Sequence, residues 1–241
     1  MAVIKISIIN ASTVLSDAQV SKVVPALQTQ VHRDFYLAWG IDADLTFVPK
    51  GKKPAKGTWQ LVMLDNSDQA GALGYHDLTK DGLPLGKVFA NSDLQYKLQW
   101  SVTASHELLE MLGDPDINLT AFVQKDDYSG RLYAYEVCDA CEAGELGYAI
   151  NCIQVSDFVY PAWFESFRKT GSTQFDHRKL IKAPFQLLKG GYIGVFDVGS
   201  GGGWTQITAQ GTPHAYAARP KVGARRERRR TPRSQWLKSS V

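Results

Sequence analysis

Cysteine is scarce, three in 241 residues, and the three are bunched at Cys138, Cys141 and Cys152. They are too few and too close together for a disulfide framework, which points to a reducing, cytoplasmic setting. Buried small hydrophobes are the default reading of such thiols. Half of a zinc site, a redox pair or a single bridge to Cys152 are the alternatives. Long apolar runs are lacking too: nothing approaches 18 consecutive apolar residues, so a membrane span is excluded. The opening stretch, Met-Ala-Val-Ile-Lys-Ile-Ser-Ile-Ile-Asn, has no apolar core followed by a small-residue cleavage site and reads as a strand rather than a secretion signal. Ser105 has no Gly-x-Ser-x-Gly context, which argues against a serine hydrolase. The run Gly199–Gly203 lacks the Lys-Ser/Thr and the following helix of a phosphate loop. No internal repeat is present.

Apolar residues make up 44% of the chain, with 6 Trp, 10 Tyr and 10 Phe, enough for a sizeable core. The net charge of +3 conceals an asymmetry. From Ala217 to Val241 nine basic residues, seven of them Arg, face only Glu227. The tail therefore carries about +8 and the body is mildly acidic.

The order of elements reads as α+β. Lys5–Asn10 alternates as a strand. Ser16 or Asp17 caps a helix through Val20, Val23, Val24, Leu27, Val31 and Phe35, with Pro25 expected to kink it or mark its true first turn and Gly40 to end it. Ala43–Val48 alternates again, Lys50–Gly57 is a loop, and Trp59–Leu64, apolar on both faces, reads as a central strand. Gly71–His76 and Leu85–Ala90 are two further extended pieces around the turn at Lys80-Asp81-Gly82. Helical spacing then runs from about Leu94 to Leu112, with Gly113 placed for a left-handed cap and Pro115 forbidding continuation. Asp126–Gly130 is a turn and Leu132–Val137 a strand. Beyond Phe158 the chain is aromatic and punctuated by Gly and Pro. Three parts are expected: 1–115, ending with the charged helix; 116–210, closing a cleft; and a basic tail, 211–241.

That helix carries the chemistry. Residues 105 to 116 read Ser-His-Glu-Leu-Leu-Glu-Met-Leu-Gly-Asp-Pro-Asp. Four residues apart, His106 and Glu110 project from one face with Cβ atoms about 5–6 Å apart. These are the ligand positions of an H-E-x-x-H metal helix, with Glu replacing the second His. Imidazole nitrogen and carboxylate oxygen both suit zinc. Glu107 stands where a carboxylate accepts a proton from water activated by the ion. A third ligand is required. Candidates are Asp116, which has the spacing of one known arrangement counted with Gly113, Glu142, and Glu136 and Asp139, in Tyr135-Glu136-Val137-Cys138-Asp139, which offer a ligand and an orienting partner for an imidazole. The apolar flanks Leu108, Leu109, Met111 and Leu112 predict a buried helix, where an acid pair is expensive unless balanced. His76, on an expected edge strand, is a candidate for lining a substrate cleft. The aromatic run Phe158–Phe164 either floors the site or packs the core. A carboxylate-rich calcium site on Asp114, Asp116 and Asp139 is a further expectation.

The block from His106 to Pro115, followed by Glu136-Val137-Cys138-Asp139, resembles uncharacterised bacterial and phage proteins of zincin-like appearance, with more distant similarity to exordium-type sequences read as peptidases. They share H-E-x-x-E…D-P…E-V/I-x-D, and the similarity extends from the N-terminus to about Thr208. It implies a zincin-like mixed sheet with a backing helix, an active-site helix and a less regular C-terminal part. It also implies a zinc-dependent peptidase acting on a peptide or protein substrate, and favours Glu136 or Asp139 over Asp116 as third ligand. Glu110 departs from the usual second His, and an extra anionic ligand makes the ion a poorer Lewis acid. The runner-up is therefore a structural protein of a phage virion on the same scaffold, its metal site catalytically silent.

Arg forks engage phosphate, so the tail is read as docking on nucleic acid or on a protein assembly. Deleting Ala217–Val241 is expected to leave the melting temperature unchanged and to abolish salt-sensitive association with nucleic acid or particle, measured by binding at two ionic strengths. Association that survives the deletion would remove the tail from this role.

Overall fold

The computed structural model describes residues 3–68, 72–199 and 203–209. The basic tail and His214 lie outside the described residues. The chain divides into two units, Met1–Pro115 with Gly144–Ser156, and Asp116–Ala143 with Asp157–Val241. The segment Gly144–Ser156 thus belongs with the N-terminal part, whereas the sequence reading included it in 116–210. Among the described residues no helix is long and apolar enough to cross a membrane.

In the first unit, alternation of Ile4, Ile6 and Ile8 makes β1 (Ile4–Asn10), with Ile6 and Ile8 buried. It pairs in parallel with β2 (Ala43–Val48) on one side and β3 (Trp59–Leu64) on the other. Next to β3 lies β5 (Pro84–Phe89), also parallel, and β4 (Gly74–Leu78) closes that edge antiparallel. The order β2-β1-β3-β5-β4 places the doubly apolar β3 in the centre, as its composition predicts. Helix α1 (Asp17–Thr29) opens on Ser16, whose hydroxyl accepts from the Gln19 amide while the Gln19 side chain takes the Ser16 N–H, a capping box. It buries Val20, Val23, Ala26 and Leu27 and contains Pro25 without ending there. The backbone then widens into a π-turn, Gln30–Phe35, before α2 (Tyr36–Trp39) stops at Gly40, φ 68°, the expected left-handed cap. The wider turn brings Gln30, Val31, Asp34 and Phe35 all to the buried side.

The second unit is built on an antiparallel sheet, described with the hairpin of β6 (Thr120–Gln124) and β7 (Gly130–Ala134) at one side. Asp126 fixes its turn, accepting from the Tyr128 amide and the Ser129 hydroxyl. β10 (Tyr192–Val198) and β11 (Thr205–Thr208) complete the order β11-β10-β7-β6. The strand expected to run to Val137 ends at Ala134. The aromatic run packs within this unit: Trp163 meets Phe164 edge-on and Phe185 at a tilt, and its Nε1 donates to the Gln186 carbonyl. Two buried carboxyls, Asp157 and Asp176, hold the following loop. Asp176 accepts from the amides of Leu180 and Ile181, Asp157 from those of Phe158 and Arg178. Burial, reinforced by the neighbouring Asp176, pushes Asp157 up to about 8. All three cysteines are free thiols, Cys138 and Cys141 buried and Cys152 exposed.

The helix expected from Leu94 to Leu112 is two helices, α3 (Ala90–Gln95) and α4 (Trp100–Gly113). Lys97 takes φ 57°, the Leu98 amide donates to the Asp93 carbonyl and the Lys97 amide to that of Leu94. This is the hydrogen-bond pattern that closes a helix at a left-handed residue, here with Lys where Gly is usual. Nor is Gly113 left-handed: it is the last helical residue, and Asp114 caps with φ −143° before Pro115. The Asp93 carboxyl, fully buried, accepts from the Thr103 hydroxyl at 2.8 Å and ties α3 to α4; its Oδ2 has no hydrogen-bond partner among the described residues. Burial raises it from 3.8 to about 7 against the weaker pull of Thr103. Because the folded chain holds this proton to higher pH than the unfolded chain, the stabilisation is complete below about pH 4 and is lost as the pH rises through 7. Asp93→Asn removes the titration. The melting temperature of the variant minus that of the wild type is expected to rise from pH 4 to pH 8; parallel profiles would show that Asp93 does not titrate in this range.

Candidate metal centre

Helix α4 is buried because its flanks leave it no polar side. Leu108, Leu109 and Met111 are inaccessible, and Ala104 and Ser105 with them. The charged cluster is carried inward: Glu107 is 5% exposed and Glu110 4%, with His106 only partly open. This matches the buried helix predicted from its leucines. Taking two carboxylates out of water carries a penalty of several kcal/mol each unless charge is supplied nearby.

Two imidazoles face them. His106 Nε2 lies 3.4 Å from Glu110 Oε1, one turn along the same helix. His76, on the edge strand β4, places Nδ1 3.6 Å from Glu107 Oε2 and 3.6 Å from Glu110 Oε2. Donors bound about 2.0–2.2 Å from one tetrahedral ion stand about 3.3–3.6 Å apart, so each pair has the spacing of neighbouring ligands. The sequence reading put His76 along a substrate cleft. In the fold it is 5% exposed, turned inward beneath α4.

Close backbone approach admits Glu107. A Cβ at Gly74 would lie 2.7 Å from both Glu107 Cγ and Oε1. Opposite His76 in the ladder is Gly86, where a Cβ would lie 2.5 Å from Leu61 Cδ1 and 3.6 Å from Glu107 Cβ. Glycine within a strand marks such an approach, a signal the sequence carried at 74 and 86 without identifying what came close.

The roll of α4 is fixed from its other side. Ser105, fully buried, donates to Gln30 Oε1 at 2.6 Å and accepts from the Ser156 amide at 2.9 Å. Gln30 Nε2 donates to the Ser156 carbonyl at 2.9 Å. Ser156 follows the hairpin of β8 (Tyr148–Ile150) and β9 (Ile153–Val155), joined at Asn151 and Cys152, both left-handed as a two-residue turn requires. The Tyr148 hydroxyl donates to Asp34 Oδ2 at 2.8 Å, and Arg33 grips the same carboxylate twice. Gln30 and Asp34, four residues apart on one face, both lie buried within the π-turn.

Of the residues named from sequence, the first unit thus gathers His76, His106, Glu107 and Glu110. Glu136 and Asp139 lie in the second unit, both buried, Glu136 just past β7 and Asp139 opening a short 3-10 turn, Asp139–Cys141. Asp116 is exposed, and among the described residues no group suited to an ion includes it or Asp114. His32 sits at the surface against Asp42.

No family model, curated protein or solved structure matches the chain.

Gly74→Ala is expected to destabilise the fold by about 1–3 kcal/mol, the range of overpacking. Part of that loss should return in the Gly74→Ala, Glu107→Ala double variant, read by denaturant unfolding. Strict additivity would mean that Gly74 is not there to make room for Glu107.

Proposed function

We propose that the chain is a zinc-dependent hydrolase of peptide bonds built on a zincin-like scaffold. The observation that carries this reading is the buried helical turn on which His106 Nε2 faces Glu110 Oε1 at ligand spacing, with the Glu107 carboxylate one residue on from His106. The sheet order supports it. A mixed sheet whose antiparallel edge strand runs beside the metal helix, with α1 alongside, is the arrangement expected of a zincin upper subdomain.

His106 and Glu110 hold the ion, which leaves one further protein ligand and an open position to complete the centre. A bound zinc lowers the pKa of water towards 7 and polarises a carbonyl. Glu107 accepts the proton of the attacking water and returns it to the departing amine. His76, beside Glu107 Oε2, orients that carboxylate and disperses its charge. Ser105 and Gln30 keep the helix from rolling, so the ligands need not be reorganised as the ion binds. Two carboxylates near one cation reduce its Lewis acidity, which favours a slow enzyme over a fast one.

Zinc titrated into the chelator-stripped chain should bind, and His106→Ala should weaken it by an order of magnitude or more. Glu107→Gln should keep the zinc and lower hydrolysis of fluorescently tagged casein by about 10²–10⁴-fold, the usual contribution of a positioned base. Hydrolysis surviving in Glu107→Gln would remove that residue from its role. Zinc bound without any hydrolysis by the wild type would leave a scaffold whose metal is structural.

A further inference from the structure

The metal reading, on which this inference rests, concerns one ion; Glu110 has the geometry for two. Its oxygens do not converge on a single imidazole. Oε1 faces His106 Nε2 at 3.4 Å and Oε2 faces His76 Nδ1 at 3.6 Å. One imidazole comes from the same helix and the other from the edge strand, so they reach the carboxylate from different elements. Ligands of one ion all crowd a single point. Here they pair off instead, one imidazole to each oxygen. A carboxylate is the protein group able to do this, because it offers a lone pair from each of two oxygens.

We propose that Glu110 bridges two divalent cations, one held with His106 at Oε1 and the other with His76 at Oε2. Two features fit. Both spacings equal the distance of about 3.3–3.6 Å between neighbouring donors of a tetrahedral ion. Glu107 Oε2, 3.6 Å from His76 Nδ1, puts a second carboxylate beside the His76 position, so that position is not short of negative charge. A second cation would offset the buried negative charge that makes a single-ion site a weak Lewis acid, and paired ions are suited to stabilising attacking and departing oxygens together.

The test counts ions in the full-length chain. Chelator-stripped protein is titrated with zinc alone, and a second sample is loaded with manganese(II) for electron paramagnetic resonance. The wild type should take two equivalents, and the manganese pair should show exchange coupling through the shared carboxylate. His76→Ala, with His76→Gln as a second variant and circular dichroism as the check on folding, should take one equivalent and give an uncoupled spectrum. One equivalent in the wild type overturns the proposal and leaves the single-ion reading standing. Two uncoupled ions overturn it as well, since the second then binds elsewhere. No binding at all overturns the single-ion reading along with it.

Discussion

Charge held inside an apolar helix is the constraint around which the first unit is arranged. Ala104, Leu108, Leu109, Met111 and Leu112 drive α4 into the core, and burying each large side chain is worth about 1.5–3 kcal/mol. Several such residues together outweigh the desolvation penalty of the two acids that share their helix, so Glu107 and Glu110 go in with it. Once inside they require positive charge or protons close by. The imidazoles of His106 and His76 are set where they can answer that demand, one by helical spacing and the other by strand register.

Such an arrangement works only if the helix cannot roll. A helical residue turns through about 100°, so a modest rotation would carry His106 or Glu110 out of line. Ser105 prevents this from the position immediately before His106, bound on one side to Gln30 and on the other to the Ser156 backbone. Below, the glycines at 74 and 86 let the sheet edge come close enough for His76 to reach two carboxylates. The π-turn, the return of Gly144–Ser156 and the glycine strand pair look unrelated along the chain. In the fold each acts on the position of the same helical turn.

What could be read from sequence followed the range of the forces involved. Helix caps and burial are local, so the Ser16 start, the Gly40 stop and the buried face of α4 were legible from a few residues each. The centrality of β3 followed from its two apolar faces. The break at Lys97 was not legible, because its closing hydrogen bonds normally advertise themselves through glycine and here lysine takes the left-handed position. The π-turn was hidden for a similar reason: Gln30 through Phe35 keep ordinary helical periodicity while the backbone hydrogen bonds change partner. His76 was placed on an edge strand correctly and offered as lining a substrate cleft, while its burial was not foreseen. Its inward aim depends on the packing of that strand against α4, a contact between elements far apart in sequence. Gly144–Ser156 was assigned to the later part of the chain because its contacts with α1 and α4 are likewise long-range.

Glu110, where a metal helix of the kind proposed would usually carry a second histidine, is the residue that most needs a physical account. Around one cation it is a disadvantage: it adds negative charge and blunts the polarising power that hydrolysis requires. Its merit lies in valence. An imidazole at position 110 could present one nitrogen to one partner, and His76 would then face only Glu107. A carboxylate presents two oxygens, and in this fold each is turned to a different imidazole. The substitution that would weaken a one-ion centre is therefore the one a two-ion centre would require, and in it His76 would serve as a ligand and not only as a partner of Glu107.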